Sequence, residues 1–250
     1  MNKKLFKKIL PDFIYNFFKR IFLMCIFVCQ FLKTKNFFRK NARFSFLWKD
    51  HYPQLYDKTA ETNFDRHYIY HPAWAARIVK KINPEKHIDI SSTLSFCSII
   101  SAFIPVEFYD YRPADLSLTN FTAKRGDLLH LPFKDESVKS LSCMHTVEHV
   151  GLGRYGDPID SDGDLKAIYE LKRVIAKNGS LLFVVPLGKP KIMFNAHRIY
   201  SYKQILSYFS DFKLEEFSLI PEFSGDMIFN ASEEDVQKEV YGCGCFWFKK

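Results

Sequence analysis

Residues 126–188 constrain the fold of this chain more than any other stretch, because they place one helical pattern between two strand patterns. A short apolar run covers residues 138–144, a loop rich in polar residues and glycine follows it, and a helical pattern begins at Asp164. The turn Asn178-Gly179-Ser180 then leads into a second apolar run at residues 181–186. This order predicts a βαβ unit with parallel strands. Because open parallel sheets bind ligands beyond the carboxyl ends of their strands, we expect a site in the loop that begins at His145.

A second unit of the same kind precedes this one. Residues 86–90 and 106–110 predict strands, and the helical pattern of residues 96–103 lies between them. Asp110 ends the second strand, 21 positions after Asp89. That arrangement is typical of a nucleotide-binding half, in which the acid accepts hydrogen bonds from ribose hydroxyls. The loop at residues 91–95 contains no glycine, although glycine usually allows the backbone to approach a ligand closely.

The outer elements follow from periodicity and from capping residues. Residues 67–83 begin the domain, and His71-Pro72 predicts the start of a helix within them, because proline suits a first helical turn. Residues 202–209 predict a helix, whereas residues 213–221 and 245–248 predict strands. Asp164 is expected to be the N-cap of its helix. The buried stripe expected along that helix is Leu165, Ile168, Leu171 and Ile175.

Several strings within this frame are long and specific. Leu131-Pro132-Phe133 precedes Asp135, residues 148–160 read E-H-V-G-L-G-R-Y-G-D-P-I-D, and residues 163–167 and 194–200 read G-D-L-K-A and F-N-A-H-R-I-Y. Together with the order of elements, they resemble the class I S-adenosylmethionine-dependent methyltransferases over about residues 67–250. The three longest strings resemble one branch of that superfamily, catalogued as domain of unknown function 268.

The resemblance implies a Rossmann-like α/β fold, a three-layer sandwich around a mostly parallel seven-stranded sheet whose last strand is antiparallel. Residues 1–66 would then be an N-terminal helical extension. The resemblance also implies S-adenosylmethionine as cofactor and methyl transfer to a small polar acceptor. Relatives of this branch are familiar among polysaccharide-type genes, which favours a saccharide or a surface-glycan precursor as that acceptor. The cofactor-binding residues implied are Asp89, Ser91, Thr93, Ser95, Asp110, Asp127 and Leu128.

The glycine-free loop leaves a second interpretation open. Ser91, Thr93 and Ser95 stand where the superfamily has its three glycines. Serine is small enough for a tight turn between strand and helix, but a β-branched threonine restricts the backbone more. The alternative is therefore a catalytically inactive member that uses the same fold as a binding or scaffold protein at a membrane surface.

A hydroxyl acceptor would need a general base, and histidine suits that role because its pKa lies near neutrality. The candidate catalytic residues are His145, Glu148, His149 and His197. Any one of the histidines could equally cap a strand end through a local hydrogen bond. The candidate substrate-binding residues are Arg154, Tyr155, Asp157, Asn195 and Arg198. A guanidinium offers a rigid fork of donors to a substrate, but the two arginines could equally brace the loop by pairing with Asp157 or Asp160.

No metal site is expected from the sequence. Residues 160–164 are similar to the start of a calcium loop, but the twelfth residue from Asp160 is Leu171, where an EF-hand needs glutamate. Cys243-Gly-Cys245 lacks the C-x-x-C spacing of redox and zinc motifs. The cysteines are therefore expected to be structural thiols in a reducing compartment.

The net charge of +8 is concentrated in the N-terminal arm. Residues 1–40 contain ten Lys/Arg and one acidic residue, whereas the remainder contains 26 basic and 27 acidic residues. Since nucleic-acid enzymes usually carry a basic stripe across the folded domain, a DNA or RNA substrate is not expected. The apolar run at residues 21–32 is too short to span a bilayer, which needs about 20 residues. We expect a cytoplasmic protein whose basic, aromatic arm lies on the inner face of the membrane, with packing on protein as the alternative.

Overall fold

The computed structural model describes residues 12–38 and 43–250, and the chain divides into two compact units, residues 1–63 and 64–250. In the first unit, helix α1 (Asp12–Phe38) precedes a 3₁₀ turn at Trp48–Asp50. Phe31 of α1 stacks on Phe46, with ring centroids 4.6 Å apart. Within the described ranges, no helix combines the length and the apolar character needed to cross a bilayer. The arm residues of the charge argument that lie outside those ranges are Lys3, Lys4, Lys7, Lys8, Arg39 and Lys40.

The second unit is built on a large mixed sheet. In chain order, its strands are β1 (His87–Ile90), β2 (Val106–Asp110), β3 (Phe121–Arg125), β4 (Val138–Met144), β5 (Ile175–Leu187), β6 (Lys191–Met193), β7 (His197–Ile199), β8 (Lys213–Ile220), β9 (Ile228–Phe229) and β10 (Gly242–Lys249). Strands β6 and β7 form a separate antiparallel hairpin, and the other eight lie in the order β3-β2-β1-β4-β5-β10-β8-β9. The first five of these are parallel neighbours, while β10 is antiparallel to both β5 and β8. The predicted Rossmann-like fold is confirmed.

The sheet has eight strands and not the predicted seven, because β9 adds a two-residue edge strand. Its pairing with β8 comprises only Ser218 with Phe229 and Leu219 with Ile228. A pattern of two residues is too short for periodicity to detect. The antiparallel β10, in contrast, lies where the last strand was expected.

Helices cover both faces of the sheet, which gives three layers. The helices of this unit are α2 (Arg66–Ile82), α3 (Leu94–Ile100), α4 (Gly163–Val174), α5 (Tyr202–Tyr208) and α6 (Glu233–Gln237). Trp74 of α2 and Phe96 of α3 pack in one core cluster with Val106 and Leu182 of the sheet. The cluster on the other face joins α4 and α5 to the sheet through Leu171, Phe209 and Phe183, among others. Burial on both faces explains why the strands are continuous apolar runs.

Two predicted helix starts are wrong. Helix α2 begins at Arg66, where Asp65 is the N-cap and accepts a hydrogen bond from the Tyr68 N–H, so Pro72 lies inside the helix. Helix α4 begins at Gly163, and Asp164 is a buried residue of its first turn that accepts a hydrogen bond from the Tyr200 hydroxyl at 2.9 Å. The start of α2 is set by the Asp65 cap and not by the proline. In α4, Asp164 contacts Tyr200 and does not cap the helix. Of the predicted stripe, Leu165 is exposed, whereas Ile168, Leu171 and Ile175 are buried.

Candidate active site

The carboxyl ends of β1, β2 and β3 bring the predicted cofactor residues to one edge of the sheet. Asp110 pairs in register with Arg125 of β3, and its carbonyl accepts a hydrogen bond from the Gly126 N–H at 3.0 Å. Asp127 follows directly and is exposed, whereas Leu128 is buried. Each of the two carboxylates accepts a hydrogen bond from the N–H two residues later, at 2.7 Å for Asp110 and 2.8 Å for Asp127. Asp110 therefore ends β2 and Asp127 follows the end of the neighbouring strand β3, each in a turn that its own carboxylate stabilises.

The glycine-free loop is held by its own side chains. Ser91 adopts a φ of +53°, a conformation that glycine reaches without a steric cost, and its N–H and hydroxyl both donate to the Tyr109 carbonyl. Asp89 lies below the loop, fully buried, and accepts hydrogen bonds from the Ser92 N–H and the Ser142 hydroxyl. Burial raises the pKa of the Asp89 carboxyl to about 6. Asp89 thus supports the loop from inside the domain.

The end of the loop starts helix α3. The Thr93 side chain accepts a hydrogen bond from the Phe96 N–H and is the N-cap. Ser95 is exposed in the first turn of that helix. Ser91 and Thr93 are half-buried at the sheet edge, beside the end of β2. Serine and threonine in these positions are therefore compatible with a tight turn between strand and helix.

The loop after β4 begins with a buried cluster of ionisable groups. Nδ1 of His145 lies 2.9 Å from Oε1 of Glu148, and its Nε2 lies 3.3 Å from Sγ of Cys243. Burial alone would lower the pKa of His145, but the Cys243 sulfur and the Glu148 carboxylate raise it, and the net direction is upward. Burial would raise the pKa of Glu148, but the hydrogen bond and the charge of His145 lower it overall. Both ring nitrogens of His145 are therefore engaged inside the protein.

His149 is also buried, at 9% exposure, and its Nε2 lies 3.8 Å from Oε1 of Glu148. Its Nδ1 lies 2.6 Å from the Ala196 carbonyl, which can only accept, so Nδ1 carries the hydrogen and Nε2 the lone pair. Burial lowers the pKa of His149, and it also lowers the pKa of the half-buried His197. The two rings lie with centroids 6.4 Å apart. Of the predicted bases, His149 is thus a neutral imidazole with a defined tautomer.

Arg154 and Tyr155 lie next to this base. The Arg154 guanidinium donates to the Ala196 carbonyl at 2.9 Å and covers the Tyr155 ring. Arg112, two residues after Asp110, lies over the same ring at 4.8 Å, and the ring is 5.7 Å from that of His149. Tyr155 therefore connects the predicted ribose-binding end of β2 with the predicted base.

Three other candidate substrate residues have different environments. Asp157 accepts hydrogen bonds from the N–H groups of Gly151, Gly153 and Tyr155 and braces the loop. Arg198 is buried and donates to the carbonyls of Val150, Asp160 and Ser161, so its guanidinium also braces the loop, through main-chain oxygens and not through the carboxylates of Asp157 or Asp160. Asn195 is exposed in the turn of the β6–β7 hairpin.

Three glycines of the loop after β4 have positive φ angles. Gly151, Gly153 and Gly156 have φ values of +81°, +69° and +83°. At Gly151, a Cβ atom would also collide with the Asp160 carbonyl, because residues 151 and 160 pair through a main-chain hydrogen bond of 2.9 Å. The loop is therefore closed on itself and its conformation depends on glycine.

The sequence analysis missed the residues that surround His145. His67, Tyr68 and His71 come from the first turns of α2, and their ring centroids lie 5.6, 5.4 and 5.0 Å from that of His145. The available signal was the spacing H-x-x-x-H at residues 67–71, which places two histidines on one helical face. Cys243 and Tyr241, near the start of β10, complete the cluster.

Comparisons with known proteins agree with this architecture. Residues 118–238 match the model of the family described as Caenorhabditis protein of unknown function, DUF268. No curated protein matches the chain. A chain in the complex between the Haloferax volcanii Trm112 methyltransferase activator and the putative methyltransferase is similar, with 16% identity and a TM-score of 0.50 over 74% of this chain and 90% of that one. A putative sarcosine dimethylglycine methyltransferase from Galdieria sulphuraria is similar at 13% identity, with a TM-score of 0.50 over 72% of this chain and 84% of its own. At these identities the likeness to the solved structures concerns the fold.

Proposed function

We propose that this chain, which has the class I S-adenosylmethionine-dependent methyltransferase fold and carries the DUF268 segment, transfers a methyl group to a hydroxyl of a small polar acceptor. The observation that carries the proposal is the position of a neutral imidazole, His149, beside the sheet edge where Asp110 ends β2. Tyr155 links the two, since its ring contacts both His149 and Arg112. The fold provides the cofactor edge, and the loop after β4 provides a base.

Each residue of this edge would have a separate task. S-adenosylmethionine, when bound, supplies an activated methyl group on its sulfonium. Asp110 would accept hydrogen bonds from the ribose hydroxyls, and Asp127 with Leu128 would border the adenine. Nε2 of His149 would accept the proton of the acceptor hydroxyl as the methyl group is transferred. The Ala196 carbonyl fixes the tautomer of His149, and its Nε2 lies 3.8 Å from Oε1 of Glu148.

A saccharide or a surface-glycan precursor is the acceptor class that we propose. Arg154 and Tyr155 are exposed next to His149 and offer a fork of donors and an aromatic face. Such a pair suits a polyhydroxylated or anionic ligand. The exposed Asn195 adds an amide on the hairpin turn nearby, directly before Ala196, whose carbonyl binds both His149 and Arg154.

A binding or scaffold protein without catalytic activity is the second candidate, favoured by the serine and threonine residues of the loop at 91–95. Calorimetric titration with S-adenosylhomocysteine separates the two functions. We expect binding in the micromolar range, because Ser91 has a φ of +53°, in the positive-φ region that glycine favours. Absence of any heat at millimolar ligand would support the scaffold and contradict the methyltransferase.

We propose further that helix α1 binds an anionic membrane surface at the cytoplasmic face. Four of its phenylalanines, Phe13, Phe17, Phe18 and Phe22, are each more than half exposed. Lys19 and Arg20 lie among them, and rings at acyl depth with cations at headgroups are typical of interfacial helices.

Vesicle flotation tests the membrane proposal. The full chain should float with vesicles that contain phosphatidylserine and stay at the bottom with purely zwitterionic vesicles. The matched control replaces Phe13, Phe17 and Phe22 by serine, which keeps the charge and removes exposed apolar area. If the control floats as well as the original chain, or if neither floats, α1 does not bind membrane in this way.

A further inference from the structure

Three buried side chains from distant parts of the chain meet at the end of β4. His67 lies on α2, His145 follows β4, and Cys243 lies on β10. One ligand atom from each lies within 4.8 Å of those of the other two. All three residues are less than one-tenth exposed. None of the three residues belongs to the proposed cofactor edge, and Glu148 connects them to His149, whose Nε2 lies 3.8 Å from Oε1 of Glu148.

The donor set is one that binds a transition metal ion. Two imidazole nitrogens and a sulfur are borderline and soft ligands, which favour Zn²⁺ over Mg²⁺ or Ca²⁺. Metal–ligand bonds of about 2.0–2.3 Å in a tetrahedral zinc site hold neighbouring ligand atoms less than about 4 Å apart. The separation of 3.3 Å between Nε2 of His145 and Sγ of Cys243 falls in that range.

The groups around these three residues have the form of a second coordination shell. Glu148 holds Nδ1 of His145, as carboxylates commonly hold a metal-binding histidine, and this leaves Nε2 directed at Cys243. Among the residues that the structure describes, two buried side-chain atoms have no hydrogen-bond partner, and both are in this cluster: Oε2 of Glu148 and Nε2 of His71. Nδ1 of His71 donates to the His67 carbonyl, so the unpartnered Nε2 is a lone pair. Buried polar atoms without a partner are rare in folded proteins, and a bound ion is one explanation for two of them in one cluster.

We propose that His67, His145 and Cys243 bind one Zn²⁺ ion, with the Cys243 thiol losing its proton on binding. Three protein ligands leave a fourth position, as in catalytic zinc sites. His71 is an additional imidazole beside the three. This proposal replaces the expectation that the chain has no metal site. That expectation rested on the spacing of Cys243 and Cys245, which says nothing about histidines more than 90 residues away in the sequence.

Metal analysis of the full chain tests the proposal. Protein purified without chelator should contain one zinc per chain, and the protein stripped of metal should take up Co²⁺ with a sulfur-to-cobalt charge-transfer band. Cys243→Ser should abolish the band and weaken Zn²⁺ binding more than about a hundredfold, since loss of a second-shell residue alone costs about 10–100-fold. Glu148→Gln should weaken Zn²⁺ binding by that smaller factor.

The chain offers a matched control in Cys245, which is also buried on β10, with its sulfur 4.0 Å from that of Cys243. Cys245→Ser should keep the cobalt band and the zinc content. If Cys243→Ser does not fold, His67→Gln provides the second variant, with the same loss of zinc expected. The proposal is wrong if the original chain binds neither ion, or if the two cysteine variants lose the metal equally. None of these outcomes depends on cofactor binding or on methyl transfer.

Discussion

Asp110→Ala is expected to remove nearly all affinity for S-adenosylhomocysteine. The Asp110 carboxylate ends β2 and is held by the Arg112 N–H at 2.7 Å, in the position where the fold binds a ribose. Two hydrogen bonds from ribose hydroxyls to a carboxylate contribute about 1.5–3 kcal/mol each. Their loss corresponds to a dissociation constant raised about a hundredfold to ten-thousandfold. Calorimetric titration of the folded variant measures this change directly.

The matched control is Asp115→Ala, which removes the same charge from an exposed position in the loop after β2. The dissociation constant of this variant for S-adenosylhomocysteine should stay within about twofold of the original, because salt screens the field of a solvent-exposed charge. A dissociation constant for Asp110→Ala equal to that of the control would show that Asp110 does not bind the ribose. Since the original chain is titrated in parallel, this result is distinct from a failure of the chain to bind cofactor at all.

The fold was predictable because its strands are buried on both faces. The apolar runs predicted both ends of β2 and β4 correctly. Asp110 lies at the end of β2 and the last strand is antiparallel, as the resemblance implied. The errors concern residues whose local preference was overruled. The N-cap of α2 is Asp65, about two turns before Pro72, and Asp164 is turned inward to meet Tyr200 and Arg198. The pairing of Asp164 with Tyr200, 36 residues away, has no local signature.

The candidate site was predictable only where its residues are close in sequence. His145, Glu148 and His149 lie in one loop, and the structure keeps them together. Their different roles depend on partners from other segments: Cys243 engages His145, and the Ala196 carbonyl fixes His149. His67 and His71 were given no role in the predicted helical segment, because a single sequence does not reveal which helical face meets His145. The bracing role of Arg198 likewise depends on carbonyl groups, which every residue has.

Arg198→Met is expected to destabilise the domain strongly, by about 3–5 kcal/mol in the free energy of unfolding. Arg198 is 6% exposed, and its Nη1 donates to the Val150 carbonyl at 2.6 Å. Its Nε lies 3.5 Å from Oδ1 of Asp164, which is itself buried. Methionine matches the length of the stem but leaves a buried carboxylate without its cation and loop carbonyls without a donor. Urea denaturation of the full chain, followed by circular dichroism, gives the free energy.

Arg154→Met is the control, since Arg154 is exposed in the same loop and donates to one carbonyl, and its loss should cost less than about 1 kcal/mol. The double variant Asp164→Asn with Arg198→Met distinguishes bracing from general disruption. Without the Asp164 carboxylate, the double variant should lose about 1–3 kcal/mol less free energy of unfolding than the sum of the two single changes, as expected for coupled neighbours. If Arg198→Met unfolds at the same urea concentration as the control while activity toward an acceptor is lost, then Arg198 binds substrate and the buried geometry does not describe its role. If the single changes are additive, Asp164 and Arg198 do not act as a pair.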